Sequence, residues 1–337
     1  MLTLLFPVLM HFRHGVSTVF GLMLLLSFYM LFRTRPRLNK IAIYMLAALV
    51  VFILISLLSF FNTEDMENSI RRIKKLANFV FLIPIFMAMV SSRKDLVKAF
   101  LIGAAIGGFV LLGIAIYQAY ILGHSRAGGF YNVIMFGSIA VVITLALFTS
   151  LLYIKSSKMQ YSIILLALLG ALVATILSGT RGAWLGLVVT VPLALGLTFI
   201  VKEMSRKKFM QVIVMGIVLT AIAGILAGDV IIARWQATSQ AIDASMALKD
   251  QRSPIGQRLT MWDAAIKIWY RNPIIGTGLG DFQADFEKMK ESGEVKWADM
   301  PFTSSGYAHN TLFEALTSTG ILGLIGLILS TFLLPLV

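Results

Sequence analysis

Of the four histidines in this chain of 337 residues, His309 alone stands where a long polar stretch meets an apolar helical run, in SSGYAHNTLFEALTSTG. An imidazole that titrates near neutrality is suited to take the proton from a hydroxyl nucleophile. A histidine that only caps an interfacial helix would occupy the same place, and its position alone leaves both readings open. Asn310 and Glu314 are four apart and share a helix face, so either can orient the histidine or the helix end. His11 and His14 flank a short loop and His124 follows a glycine, and all three read as interfacial.

Two arginines complete the set of chemically capable residues. Arg258, in GQRLTMWDAA, shares a helix face with Trp262, so its guanidinium can lie near the indole. Arg181, in SGTRGAW, joins two apolar runs through small residues. That places it at or just inside a bilayer surface, where an arginine is costly unless paired. The planar guanidinium fork pairs bidentately with phosphate oxygens, which makes an anionic partner one reading of each arginine. Snorkelling to lipid headgroups is the other. Gly276, Gly278 and Gly280, in PIIGTGLGDF, permit either a backbone N–H nest for an anion or a tight turn. The turn is the simpler reading, since no strand precedes the run and its spacing does not fit G-x-G-x-x-G. The chain has no Asp-x-Asp, so no metal site is indicated, and no cysteine, so it has no thiolate nucleophile or ligand. No cofactor is expected.

The elements that must hold these residues are membrane helices. Hydrophobic residues make up 58% of the chain and charged ones 13%, about half the share of soluble domains. Apolar runs long enough for helical spans recur, without the period-two alternation of a barrel. About ten spans are expected, at roughly 1–11, 15–32, 41–61, 76–90, 99–122, 134–154, 160–177, 183–201, 209–228 and 310–334. The first is short, and 76–90 borrows from the basic lead-in Arg71-Arg72-Ile-Lys74-Lys75. Strict alternation puts thirteen Lys/Arg in the loops 33–40, 91–98, 155–158 and 202–208, against seven in the short loops opposite. The excess marks the cytoplasmic side. It also gives the net charge of +13 a topological cause and removes the case for nucleic acid. Only the basic run Arg71 to Lys75 goes against the bias.

Three regions follow: a helical bundle over 1–228, an outward polar loop over 229–309, and a further span from 310 to the last residue, 337. The chain ends on apolar Leu334-Pro335-Leu336-Val337, which predicts that the natural protein continues. Within the loop, Ser253-Pro254 reads as a helix start. Leu259, Trp262, Ile266 and Trp269 form an apolar stripe fit for a membrane surface, and Arg271-Asn272-Pro273 ends the helix.

The ordered set SGTRGAW, R-x-x-x-W-x-x-A, P-x-x-G-x-G-x-G-x-F and HN leading into E-x-x-x-x-x-G-x-x-G, over about 178–326, resembles the O-antigen ligase and polymerase superfamily. The upstream spans match only in number and hydrophobicity. The resemblance implies an all-α integral membrane protein of C-type glycosyltransferase architecture, with about twelve spans and one large periplasmic loop, in the bacterial inner membrane. It implies a metal-independent, inverting glycosyltransferase. In the ligases, O-antigen passes from undecaprenyl pyrophosphate to a sugar hydroxyl of lipid A–core in lipopolysaccharide biosynthesis. Arg181 and Arg258 match the family's pyrophosphate-binding arginines and His309 its general base. Trp262, Asn310, Glu314, Gly276, Gly278 and Gly280 are supporting residues. An O-antigen polymerase or a protein O-oligosaccharyltransferase fits the same motifs. A transporter or flippase fits less well, because the spans are nearly free of charge.

Overall fold

The computed structural model describes residues 2–12, 14–34, 40–90, 93–153, 157–202, 206–246, 254–295 and 307–329. Helices account for the regular structure, and no strand occurs among the described residues. Six of these helices are long and apolar enough to cross a membrane: Gly15–Arg33, Leu96–Ile121, Val133–Leu151, Lys158–Leu177, Phe209–Leu226 and Thr311–Ile328. Leu46–Asn62 and Arg181–Leu197 are shorter apolar helices. The expected capping residue Ser253 and the apolar end at 334–337 lie outside the described residues.

The chain divides into two compact units, 1–26 with 92–237 and 27–91 with 238–337. The first contains α1 (Leu2–Leu9), α5 (Arg93–Ile116), α6 (Val133–Tyr153), α7 (Lys158–Leu177), α8 (Arg181–Lys202) and α9 (Arg206–Leu226). Its boundaries fall inside α2 (Gly15–Thr34) and α10 (Gly228–Met246). Small residues set its packing. A Cβ at Gly108 of α5 would lie 2.6 Å from the carbonyl oxygen of Ala167 in α7. Backbones approach this closely in membrane bundles where small residues line the interface, because lipid gives no hydrophobic drive to associate. Leu111, Ala115, Phe136, Ile143, Leu147 and Leu177 fill the core around that contact. Helix α7 starts on a reciprocal capping box between Ser157 and Gln160.

The second unit contains α3 (Lys40–Leu58), α4 (Met66–Val90), α11 (Pro254–Arg271), α12 (Phe282–Glu291) and α13 (Thr311–Ile328). Helix α4 takes in the whole basic lead-in from Arg71 to Lys75 as well as the apolar stretch after it. The described part of the polar stretch 229–309 is largely helical. Its first part continues as α10, and α11 and α12 pack on each other through Met261, Ala264, Ala265 and Ile268 against Phe282, Phe286 and Met289. The packed stripe of α11 is therefore not the one picked out by its largest side chains. Leu259 and Ile266 of the expected stripe stay exposed. Both faces carry apolar residues at helical spacing, and only the side with alanines lets a neighbouring helix come close.

Candidate functional site

His309 sits in the second unit with φ +50°, one of two non-glycine residues with positive φ among those described. This left-handed conformation costs an L-residue about 1–2 kcal/mol, and it persists only where the surroundings fix it. Here the preceding residue is held at both its backbone polar atoms. The Ala308 N–H donates to a Glu314 carboxylate oxygen at 3.0 Å, and the Trp262 indole N–H donates to the Ala308 carbonyl at 3.1 Å. After the histidine, Asn310 caps α13: its Oδ1 accepts from Leu312 N at 2.9 Å and Phe313 N at 3.4 Å. The Trp262 ring packs on Phe313 with centroids 5.6 Å apart. Trp262, Asn310 and Glu314 thus meet around His309, each through a contact to the backbone or ring beside it.

Arg258, one turn before Trp262 on α11, brings positive charge to the same place. Burial first, and then the Arg258 guanidinium, hold the His309 imidazole below the usual histidine value. Both effects keep the ring neutral at neutral pH, the form in which it can accept a proton. The expected approach of Arg258 to the Trp262 ring is not made. The cation–π contact found among the described residues is Arg72 of α4, whose guanidinium carbon lies 3.9 Å from the Tyr307 ring centroid. Arg72 also comes within 3.7 Å of the other Glu314 oxygen. Sequence reasoning left Arg72 as one of four unexplained basic residues, because the signal that separates it is tertiary.

The glycine run does structural work in the second unit. Helix α13 breaks at Gly320, with φ +64° and ψ −163°. The segment 273–277 fills the gap in the hydrogen-bond ladder. Ile321 N donates to Pro273 O at 2.9 Å, Leu322 N to Ile274 O at 3.3 Å, and Thr277 N to Thr317 O at 2.8 Å. Gly276, at φ +75°, has no room for a Cβ, which would lie 2.5 Å from Thr317 O and the Ser318 carbonyl carbon. Its own N–H is taken by Asn272 O at 3.0 Å. The turn reading of Gly276 fits these contacts, and the N–H groups of 276 and 277 are spent inside the protein.

Just beyond, the buried Asp281 carboxylate accepts from Thr63 Oγ1 at 2.7 Å, Glu64 N at 2.7 Å and Asp65 N at 3.2 Å. It ties the glycine loop to the chain entering α4. Gly278 lies against that junction: a Cβ there would be 2.8 Å from both Asp281 Oδ2 and Thr63 Cα. Gly280 rests on Asn68 and Arg72 of α4. Asp281 was missed in the sequence, where an acidic residue after a glycine run reads as loop surface.

Arg181 belongs to the first unit, where it begins α8 and is exposed. The turn before it is held by Arg126, whose Nε donates to Ser178 O at 3.0 Å and whose Nη2 donates to Gly179 O at 3.2 Å and Thr180 Oγ1 at 3.3 Å.

With this geometry, the comparisons with known proteins bear directly on the motif region. Residues 165–328 match the family model described as O-antigen ligase. That stretch spans α8, α11, the glycine run and α13. This similarity to the O-antigen ligase domain supports the ligase and polymerase superfamily. The O-antigen ligase match thus covers Arg181, Arg258 and His309 together. A Haemophilus influenzae protein of uncharacterized function is similar as well, 28% identical over 281 residues, which cover 81% of this chain and 67% of that protein. The superfamily consists of membrane glycosyltransferase-like enzymes acting on lipid-linked glycans, and the apolar helices suit such a multi-pass protein.

Proposed function

We propose that the protein is an inverting, metal-independent glycosyltransferase that moves O-antigen from undecaprenyl pyrophosphate to a sugar hydroxyl of lipid A–core. It would work in the inner membrane with about ten spans in this chain, C-type architecture and its site on the periplasmic side. The observation that carries the reading is the setting of His309: held below the ordinary histidine value by burial and by the Arg258 charge, on a backbone clamped from both sides. In this reading His309 takes the proton from the acceptor hydroxyl as its oxygen attacks the anomeric carbon. The bond from that carbon to the pyrophosphate oxygen breaks in the same displacement, which inverts the carbon. Arg258 stabilises charge that develops on the leaving pyrophosphate, and Arg181 is a phosphate ligand in the first unit. Trp262, Asn310 and Glu314 hold the histidine, and Gly276, Gly278 and Gly280 support the helix that carries it.

The testing experiment offers purified protein the carrier-linked glycan with either lipid A–core or a second carrier-linked glycan. Consumption of lipid A–core supports ligation. Growth of the carrier-linked chain alone would make the protein a polymerase, and transfer to neither would sink the reading.

A further inference from the structure

The basic run near the start of α4 does not act as one surface. Arg71, Lys74 and Lys75 are exposed, and Arg71 pairs with Glu67 one turn back at 2.8 Å. Arg72 faces another way, since it lies three residues after Ser69 and shares its helix face. Ser69 is fully buried and its hydroxyl donates to Leu279 O, so that face lies on the glycine loop. Nearby, Asn62 Nδ2 donates to Gly276 O at 3.0 Å, and the Asp281 carboxylate holds the chain at 63–65. The entry to α4 is thus fixed at several points. Gly280 leaves the space for the Arg72 stem, because a Cβ there would lie 3.3 Å from Arg72 Cγ.

From this platform Arg72 reaches the segment that leads into His309. Its guanidinium carbon stands 3.9 Å from the centre of the Tyr307 ring, and its Nη2 lies 3.7 Å from Glu314 Oε1. The other oxygen of Glu314 accepts the Ala308 N–H at 3.0 Å. One cation therefore bears on two consecutive residues, on Tyr307 directly and on Ala308 through the carboxylate. The Arg72 and Glu314 side chains are each only 22% exposed, so solvent screens their attraction less than it would at the surface. Trp262 brings α11 to this segment and Glu314 brings α13; Arg72 adds α4.

We propose that Arg72 is a positioning residue for His309, acting through Tyr307 and Glu314 to hold the left-handed backbone that presents the imidazole. Its effect on the reaction rests on His309 being the base proposed above. The link from Arg72 to the His309 backbone does not.

The test uses the full chain purified in detergent, in transfer from carrier-linked glycan to lipid A–core. Carbon-13 NMR of histidine-labelled protein adds a readout that needs no turnover. Arg72→Gln should lower kcat by about tenfold to a hundredfold, the effect of a misplaced catalytic group, with the donor KM unchanged. Arg72→Lys should recover part of that loss, since a cation stays beside Glu314 and over Tyr307. Arg71→Gln should keep the wild-type kcat. In a Glu314→Ala background, Arg72→Gln should cost less than about threefold, because effects that pass through one shared contact do not add. The His309 signal, assigned by its loss in His309→Ala, should shift in Arg72→Gln and in Tyr307→Leu and stay in place in Arg71→Gln. A raised KM with kcat intact would make Arg72 a substrate ligand and overturn the positioning role. An equal loss with and without Glu314 would overturn it too, as would a His309 signal unmoved in both variants. Shifted His309 signals in a protein that transfers no glycan would leave the link standing and count against the proposed function.

Discussion

A histidine with positive φ is useful to catalysis only if its neighbours hold the backbone there, and around His309 they do so from both sides. Replacing His309 with alanine should lower glycan transfer by about 10²–10⁴-fold, the usual contribution of a positioned base, with expression intact. The lowered pKa of His309 also fixes a pH dependence. The base works when neutral, so the acid limb of the rate profile should lie below the ordinary histidine value of 6.5. Arg258→Gln removes a charge that favours the neutral ring, so the limb should move to higher pH as the rate falls. A limb that stays in place would show that Arg258 does not act on His309. Glu314→Ala frees the Ala308 N–H and removes the charge facing Arg72. It should lower kcat with little effect on KM, measured at saturating donor, because it loosens the base and leaves the ligands alone.

At the scale of elements, the second unit depends on a broken helix and the loop that mends it. Gly276→Ala puts a methyl group onto the Thr317–Ser318 backbone at a positive φ. It should cost about 1–3 kcal/mol, read as a lower melting temperature, and should disturb transfer because α13 carries His309 at its start. Asp281→Ala leaves Thr63 Oγ1 and two backbone N–H groups without their buried acceptor. A loss of about 3 kcal/mol or more is expected, measurable in the same melt. Much of this layer was legible in the sequence: α11 and its end at Arg271, the glycine turn and the start of α13 all follow from capping, periodicity and punctuation. What faces what was not. Leu259 and Ile266 of the large-residue stripe on α11 stay exposed, because close packing selects Met261, Ala264, Ala265 and Ile268, while Trp262 of the same stripe turns to Phe313. Arg72 beside Glu314 and Thr63 on Asp281 come from more than two hundred positions away, and no local spacing encodes them.

At the scale of the whole molecule, hydropathy made the all-helical membrane class plain, and the ordered motifs pointed to the family whose model matches 165–328. Arg126 was invisible at this scale, counted only as loop charge, since only the fold sets it on the 178–180 turn. The central claim is that His309 activates an acceptor hydroxyl against a glycan on a lipid pyrophosphate. The most direct measurement is transfer by purified protein from carrier-linked glycan to lipid A–core, comparing wild type with His309→Ala at equal folded concentration. Glycan-extended lipid A–core from the wild type and none above background from the variant is the predicted result. Equal product from both would contradict it.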